Sequence, residues 1–186
     1  MDKIETLLHT KRTVFRIDDL RIFWNESNPD RLKSVVKYYI NNNRLISLNK
    51  GVYAITKDFD LYELAQKLII PSYISLETAL QKHGIIFQNI NSITSFAQYT
   101  KTFLIKEQNY KYHAIKGELL LNPLGIKKES NYLIVCPERA VTDTLYLYGE
   151  YFFDNLNMIN KDKILEIAKI YNQKILIKRV KKLLKE

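Results

Sequence analysis

The order of apolar and polar residues predicts an α+β protein in two parts, and three observations carry the prediction. Residues 28–55 read as a helix followed by a β-hairpin. Residues 90–121 switch from helical periodicity to short β-branched and aromatic runs. The charge is divided unevenly along the chain.

The second helix of the first part opens at Ser27-Asn28-Pro29-Asp30, a polar cap with proline in the first turn, where its missing N–H costs nothing. Leu32, Val35, Val36, Tyr39 and Ile40 then follow the i, i+3, i+4, i+7, i+8 spacing of a core-facing stripe. The opposite face carries Lys33, Ser34, Lys37 and Asn41, with Tyr38 at its edge. After Asn41-Asn42-Asn43, two strand-like runs, Arg44 to Leu48 and Val52 to Ile55, flank Asn49-Lys50-Gly51. Glycine there supplies the positive φ of a tight hairpin.

Upstream, Ile17 to Trp24 reads as a short helix capped by Asp18, Met1 to Leu8 as a first helix, and Arg12 to Phe15 as a strand. Helix, strand, helix, helix, strand, strand is the order of a winged helix-turn-helix. That order implies duplex DNA as a partner. Residues Arg31, Lys33, Ser34, Lys37, Tyr38, Asn41, Arg44 and Lys50 are the candidate contacts. The competing reading is a small protein-docking module whose lysines are only a solvated face.

Residues 1–58 form the expected first domain and residues 59–186 the second. Asp60 is placed to cap a helix from Leu61 to about Ile69, which Pro71 stops. Ser75 caps the next helix, which ends at His83-Gly84. Three or four antiparallel strands are expected around residues 93–96, 102–105 and 110–115, with a turn at Glu107-Gln108-Asn109 and a further strand from Tyr132 to Cys136. Pro137 begins a helix to about Tyr148. Two more, about Lys161 to Tyr171 and Ile175 to Lys185, close the chain. The second domain is thus expected to be α+β, a small antiparallel sheet flanked by helices.

Residues 1–58 hold 11 basic and 7 acidic side chains, residues 59–160 hold 9 and 10, and residues 161–186 hold 9 and 3. A basic head, a neutral body and a basic tail suit a polyanion partner. A coding bias toward Lys, Asn, Ile and Tyr accounts for part of the excess. Cys136, the single cysteine, lies in an apolar run and reads as a structural thiol. His9, His83 and His113 have no metal-ligand spacing, and no glycine-rich phosphate loop is present, so neither an enzyme nor a cofactor is expected. Glu138 and Asp143 lie about 140° apart on one helix rather than on one face. Glu138 is expected to stabilise the helix N-terminus, and Asp143 to pair with a neighbour. The aromatic run Tyr146, Tyr148, Tyr151, Phe152 and Phe153 reads as core packing, with a partner surface as the alternative. Asp2 and Glu5 stand where a secretory signal is basic, and no run approaches the roughly 18 apolar residues of a membrane span, so a cytoplasmic protein is expected.

Three segments, in order, carry a family resemblance. Pro71-Ser72-Tyr73-Ile74-Ser75-Leu76-Glu77-Thr78-Ala79-Leu80-Gln81-Lys82-His83-Gly84-Ile85-Ile86 resembles the Pro-x-Tyr-Ile-Ser-x-x-x-Ala-Leu-x-x-His-Gly-Leu-Ile stretch of AbiEi-type antitoxins of type IV (abortive-infection) toxin–antitoxin systems. Arg44 to Tyr53 is similar to that family's wing, which commonly ends Gly-Val-Tyr. Pro137 to Tyr146 is similar to its Pro-Glu-Lys-Ala-Leu-x-Asp-x-Leu-Tyr helix, with Arg139 where lysine is common. Many members have a longer C-terminal part. The resemblance implies a winged-helix autorepressor and a C-terminal domain that counteracts a nucleotidyltransferase-like toxin, without a stable complex between the two. The exposed lysines expected on the closing helix, Lys178, Lys181, Lys182 and Lys185, are the candidate antitoxic surface. The alternative is a module that binds and sequesters its partner directly.

Overall fold

A computed structural model describes residues 2–185. The chain is a mixed α+β protein with two sheets, and it divides into two units, Met1–Leu68 and Ile69–Glu186.

The first unit runs α1 (Lys3–Leu8), β1 (Val14–Arg16), α2 (Ile17–Phe23), α3 (Pro29–Asn41), β2 (Ile46–Asn49), β3 (Val52–Ala54) and α4 (Leu61–Leu68). The helix expected from Met1 begins at Lys3. Asp2 caps it, accepting the Ile4 N–H, while Glu5 accepts the Asp2 N–H in a reciprocal box. α2 departs from expectation at its cap. β1 runs straight into the helix, so Arg16 occupies the cap position and Asp18 sits inside the first turn. Asp19 supplies the carboxylate instead, accepting the Arg16 N–H at 2.8 Å.

Leu7, Phe15, Leu20, Trp24, Leu32, Val36 and Tyr39 pack into one core beneath α1, β1, α2 and α3. The indole N–H of Trp24 donates to the Lys3 carbonyl at 2.8 Å, which ties α2 to α1. The strands form an antiparallel sheet in the order β1-β3-β2, with a bulge between Ser47 and Asn49. Lys50-Gly51 forms the turn, with Gly51 at φ +73° and its carbonyl accepting the Ile17 N–H.

The expected division at residue 58 is ten residues too early, because α4 belongs to the first unit. Asp60 caps α4 as expected, accepting the Tyr62 and Glu63 N–H groups. Glu63 is buried and accepts both the N–H and the hydroxyl of Thr13 ahead of β1, at 2.8 and 2.7 Å. Lys67 pairs with Asp19 at 2.8 Å. These long-range partners were invisible in a segment read only for its own periodicity.

The second unit runs β4 (Ser72–Ile74), α5 (Leu76–Lys82), β5 (Ser92–Ala97), β6 (Lys101–Ile105), β7 (Gln108–Ala114), α6 (Gly117–Leu120), β8 (Ile126–Glu129), β9 (Tyr132–Val135), α7 (Pro137–Tyr148), α8 (Lys161–Ile170) and α9 (Lys174–Leu183). Its sheet is larger than expected and mixed, in the order β6-β7-β5-β4-β9-β8. β5 pairs with β7, and β4 with β9, in parallel. The cause is insertion of hairpin strands. Lys106 and Glu107, both at positive φ, turn β6 back as β7, and β7 docks between β6 and β5. In the same way β9 returns from β8 and docks beside β4. Strand signals give no neighbour order, and so β8 and both parallel pairings were missed.

At the centre lies a buried polar cluster. Arg139 and Asp143, one turn apart on α7, are both fully buried, with Arg139 Nε 4.0 Å from Asp143 Oδ1. The guanidinium donates to the carbonyls of Leu119 and Asn122 and to the Tyr73 hydroxyl. Asp143 accepts from the Tyr171 hydroxyl and, at 2.6 Å, from Ser75. Ser75 is therefore turned inward to Asp143 and does not cap α5 with its side chain, contrary to expectation. His83 sits at the C-terminal cap of α5 and bonds the Val135 carbonyl at 2.8 Å. Cys136 is buried. Glu138 reaches α8 rather than only its own helix, accepting from Lys163 at 2.7 Å.

Replacing Arg139 by methionine leaves Asp143 without its counter-charge and the carbonyls without their donor, and is expected to cost about 3 kcal/mol or more in urea unfolding. Burial first of all, against Arg139 and the hydrogen bonds, holds the Asp143 carboxyl up at about 6. A raised folded value stabilises fully below the unfolded value and is lost as pH rises through the folded one. Wild-type stability from this group therefore levels off above about pH 6, whereas Arg139→Met, lacking the opposing cation, should keep falling. A parallel pH dependence in the two proteins would refute this. A second expectation follows from α4. A fragment ending at Leu68 should unfold cooperatively, followed by Trp24 fluorescence, and one ending at Asp58 should lose about 2 kcal/mol or fail to fold.

Candidate nucleic-acid interface

The first unit presents one polar helix face, and its geometry follows from the burial of the other. Asn28 caps α3, its side-chain oxygen accepting the Asp30 and Arg31 N–H groups at 3.0 and 3.1 Å. Leu32, Val36 and Tyr39 are buried. At 100° per residue Lys33, Lys37, Asp30, Asn41 and Ser34 then fall within an arc of about 100° on the far side. All five are exposed, and Tyr38, 62% exposed, stands beside them.

The candidates differ in how free they are. Lys37 and the hairpin-tip Lys50 are exposed with no ion-pair partner among the described residues. Lys33 pairs with Asp30 at 3.2 Å, both side chains being well exposed, and a pair of that kind is weak. Ser34 donates its hydroxyl to the Asp30 carbonyl at 2.9 Å, which leaves its oxygen able to accept. Arg31 pairs with Glu26 at 3.2 Å.

Arg44 is the most committed. It lies ahead of β2 rather than in a strand, pairs with Asp2 and covers the Tyr39 ring at 5.6 Å. Desolvation works to raise the Asp2 carboxyl, but Arg44, the Ile4 N–H and the Tyr39 hydroxyl outweigh it and hold the group below its ordinary value. Burial, then Asp2, pushes Tyr39 up. Arg44 is thus part of the joint between α1 and α3.

Two groups escaped the sequence reading. Asp30 sits inside the basic face, a position its spacing from Lys33 and Ser34 would have revealed. Arg21, exposed on α2, lines with Ile22, Asn25 and Ser27 a shallow cleft of about 300 Å³ at the turn between α2 and α3. That turn depends on Asn25 at φ +48°, which only the backbone discloses.

In the second unit, Lys178, Lys181 and Lys182 are exposed on α9, between about 140° and 240° around the helix from buried Leu176, and Lys185 is exposed just beyond its end, since the helix stops at Leu183 rather than running to Lys185 as expected. Arg179 is held apart from them, donating to the Leu145 carbonyl at 3.3 Å. In the aromatic run, Phe153 is buried and Tyr146 packs on Tyr171 at 5.1 Å, while Phe152 is 76% exposed. Among the described residues no three His, Cys, Asp or Glu side chains gather as a metal site, and no helix is long and apolar enough to cross a membrane.

No family model matches this sequence, and a comparison with curated proteins returns no match.

Proposed function

We propose that the first unit is a winged helix-turn-helix that binds duplex DNA at its own promoter and represses it. In this reading α3 lies in the major groove, and the β2–β3 hairpin is a wing on the phosphate backbone. The observation that carries it is the α3 face. Lys33, Ser34, Lys37 and Asn41 are gathered and exposed opposite a buried stripe, with Lys50 free at a hairpin tip in the same unit. Lys33 and Ser34, near the helix start, are the better placed to meet base edges. Asp30 beside them repels phosphate but can accept from a cytosine amine, which makes it a discriminator rather than an anchor. Arg31 and Arg44 have intramolecular partners to give up, and contribute less than their charge suggests.

The resemblance of Pro71 to Ile86 and of Pro137 to Tyr146 extends the proposal. The chain acts as an AbiEi-type antitoxin of a type IV system, and its second unit counteracts a nucleotidyltransferase-like toxin. The exposed lysines of α9 are the surface put forward for that role, without a stable toxin complex. Phe152 and the aromatic residues near it favour the second reading, in which the unit seizes a partner directly. Co-purification of the neighbouring gene's product with this chain would decide for that reading.

Lys33→Ala with Lys37→Ala is expected to weaken binding to the promoter fragment at least tenfold at moderate salt, about 1.4 kcal/mol, in an electrophoretic shift assay. An unchanged shift would end the assignment. The same double variant, if folded and abundant, should still protect cells from the co-expressed toxin. Loss of protection would show that repression and antitoxicity are not separable. Lys50→Ala should lower affinity alike on all sequences and reduce the salt slope by about one. A changed sequence preference at constant slope would exclude a phosphate contact by the wing.

A further inference from the structure

Between Glu166 and Glu186 the chain has no acidic residue, and α9 carries its lysines along one side. Lys174, Lys178, Lys181 and Lys182 lie between about 140° and 240° around the helix from buried Leu176, with Lys185 just beyond its end. All five are exposed, and none has an ion-pair partner among the described residues. Like charges four residues apart repel on a helix, as in the row Lys174, Lys178 and Lys182, and Lys174 stands in the first turn, where the helix dipole disfavours a cation. The ridge carries a local cost that a polyanion relieves.

One flank of this ridge borders an aromatic cleft of about 460 Å³, lined by Leu145, Tyr151, Phe152, Arg179, Lys182 and Leu183. Lys182 belongs to both, so ridge and cleft are continuous. Phe152 is 76% exposed, whereas Tyr151 is held by stacking on Tyr148 at 5.9 Å and by packing on buried Phe153 at 5.2 Å. Arg179 is steadied by the Leu145 carbonyl at 3.3 Å, and no carboxylate pairs with it among the described residues. Its guanidinium lies against Gly149, where a Cβ would come within 3.0 Å of Nη2. The cleft therefore sets an open ring beside two cations.

We infer that this surface binds single-stranded RNA, with a base stacked on Phe152, a phosphate at Arg179 and Lys182, and neighbouring phosphates along the α9 lysines. An aromatic platform beside a cationic track suits unpaired bases on a charged backbone. A duplex keeps its bases stacked inside and offers none to Phe152. A membrane would need an apolar face from α9, but Leu176 and Val180 are buried in the core. An acidic peptide matches the lysines but brings no base to the ring. Glu150, exposed in the cleft, repels phosphate yet can accept from a ribose 2′-hydroxyl, which favours RNA over DNA. The inference rests on the reading of the α9 lysines as the antitoxic surface, and it names what they hold.

The test is fluorescence polarisation with a labelled oligouridylate RNA of about 12 nucleotides, a length within the range of such sites. The full chain is used with Lys33→Ala, Lys37→Ala and Lys50→Ala, so that the first unit does not compete. Saturable binding at micromolar protein is expected, about threefold or more tighter than to the oligodeoxyuridylate of equal length. Phe152→Ala should weaken it about tenfold and leave its salt dependence unchanged, because stacking releases no counterions. Lys178→Ala with Lys181→Ala should weaken it tenfold or more and lower the salt slope by about 1.4, since each phosphate contact on a single strand contributes about 0.7. All the substituted side chains are exposed, and circular dichroism checks that each variant keeps its fold. No saturable binding, or equal binding by the folded Phe152→Ala variant, overturns the inference. So does equal or tighter binding of the DNA strand, of an RNA duplex, of an oligoglutamate or of phosphatidylglycerol vesicles. A chain that binds the RNA without protecting cells from the toxin defeats the antitoxin reading alone, and one that protects cells without binding the RNA defeats this inference alone.

Discussion

A guanidinium sealed from water must find its compensation inside the protein, and in the second unit that requirement organises everything around Arg139. Its donors reach the carbonyls of Leu119 and Asn122 and the hydroxyl of Tyr73, so one side chain gathers α6, the following loop, β4 and α7. Asp143 supplies the opposite charge and is itself held by Ser75, at the start of α5, and by Tyr171, at the end of α8. The chain closes tightly over the pair. A Cβ at Gly125, where φ is +77°, would stand 2.9 Å from Arg139 Cβ, so only glycine fits. Buried ion pairs add little stability over an apolar core of the same volume, but removing one partner is costly. Such a cluster therefore specifies one arrangement of the sheet and helices more than it strengthens it.

The first unit uses its acids in a comparable way. Asp2 is taken by Arg44, Asp19 by Arg12 and Lys67, Glu26 by Arg31, and Glu63 by Thr13. Each joins segments that would otherwise part, and each withdraws negative charge from the outward surface. What remains outward on α3 and at the hairpin tip is Lys33, Lys37 and Lys50, with Asp30 the one acid among them. The polarity of that face thus arises from the packing of the unit as much as from its lysine content. It also explains why Arg31 and Arg44, equal to the lysines in a count of charge, are unequal to them in availability.

Much of this was legible in the residues themselves. The stripe Leu32, Val36 and Tyr39 turned inward as its spacing requires, and it placed Lys33 and Lys37 outward by elimination. Asp60 caps α4, and Pro29 and Pro137 open their helices, because proline and a side-chain oxygen act within a single turn. The departures arise where a residue's own segment is not its whole environment. Asp18 lost the cap of α2 to the continuity of β1, Ser75 turned from its helix to Asp143, and α4 joined the first unit through Glu63 and Thr13. In the last two cases a distant partner outweighed a local one, and in the first the adjoining strand displaced the cap by two residues.

The sequence by itself determined where helices and strands form, which face of each helix is apolar, and which side chains are left outward as charge, because all three depend on periodicity and on interactions within a few residues. Tertiary structure alone decided the strand order with its parallel pairs, the extent of the first unit, the burial of Arg139 and Asp143, and which arginines are spent on ion pairs. Several of those outcomes depend on contacts between residues some 50 to 70 positions apart, such as Thr13 with Glu63 and Ser75 with Asp143. No local pattern encodes such a distance, because the free energy that selects the contact exists only once both partners have been removed from water.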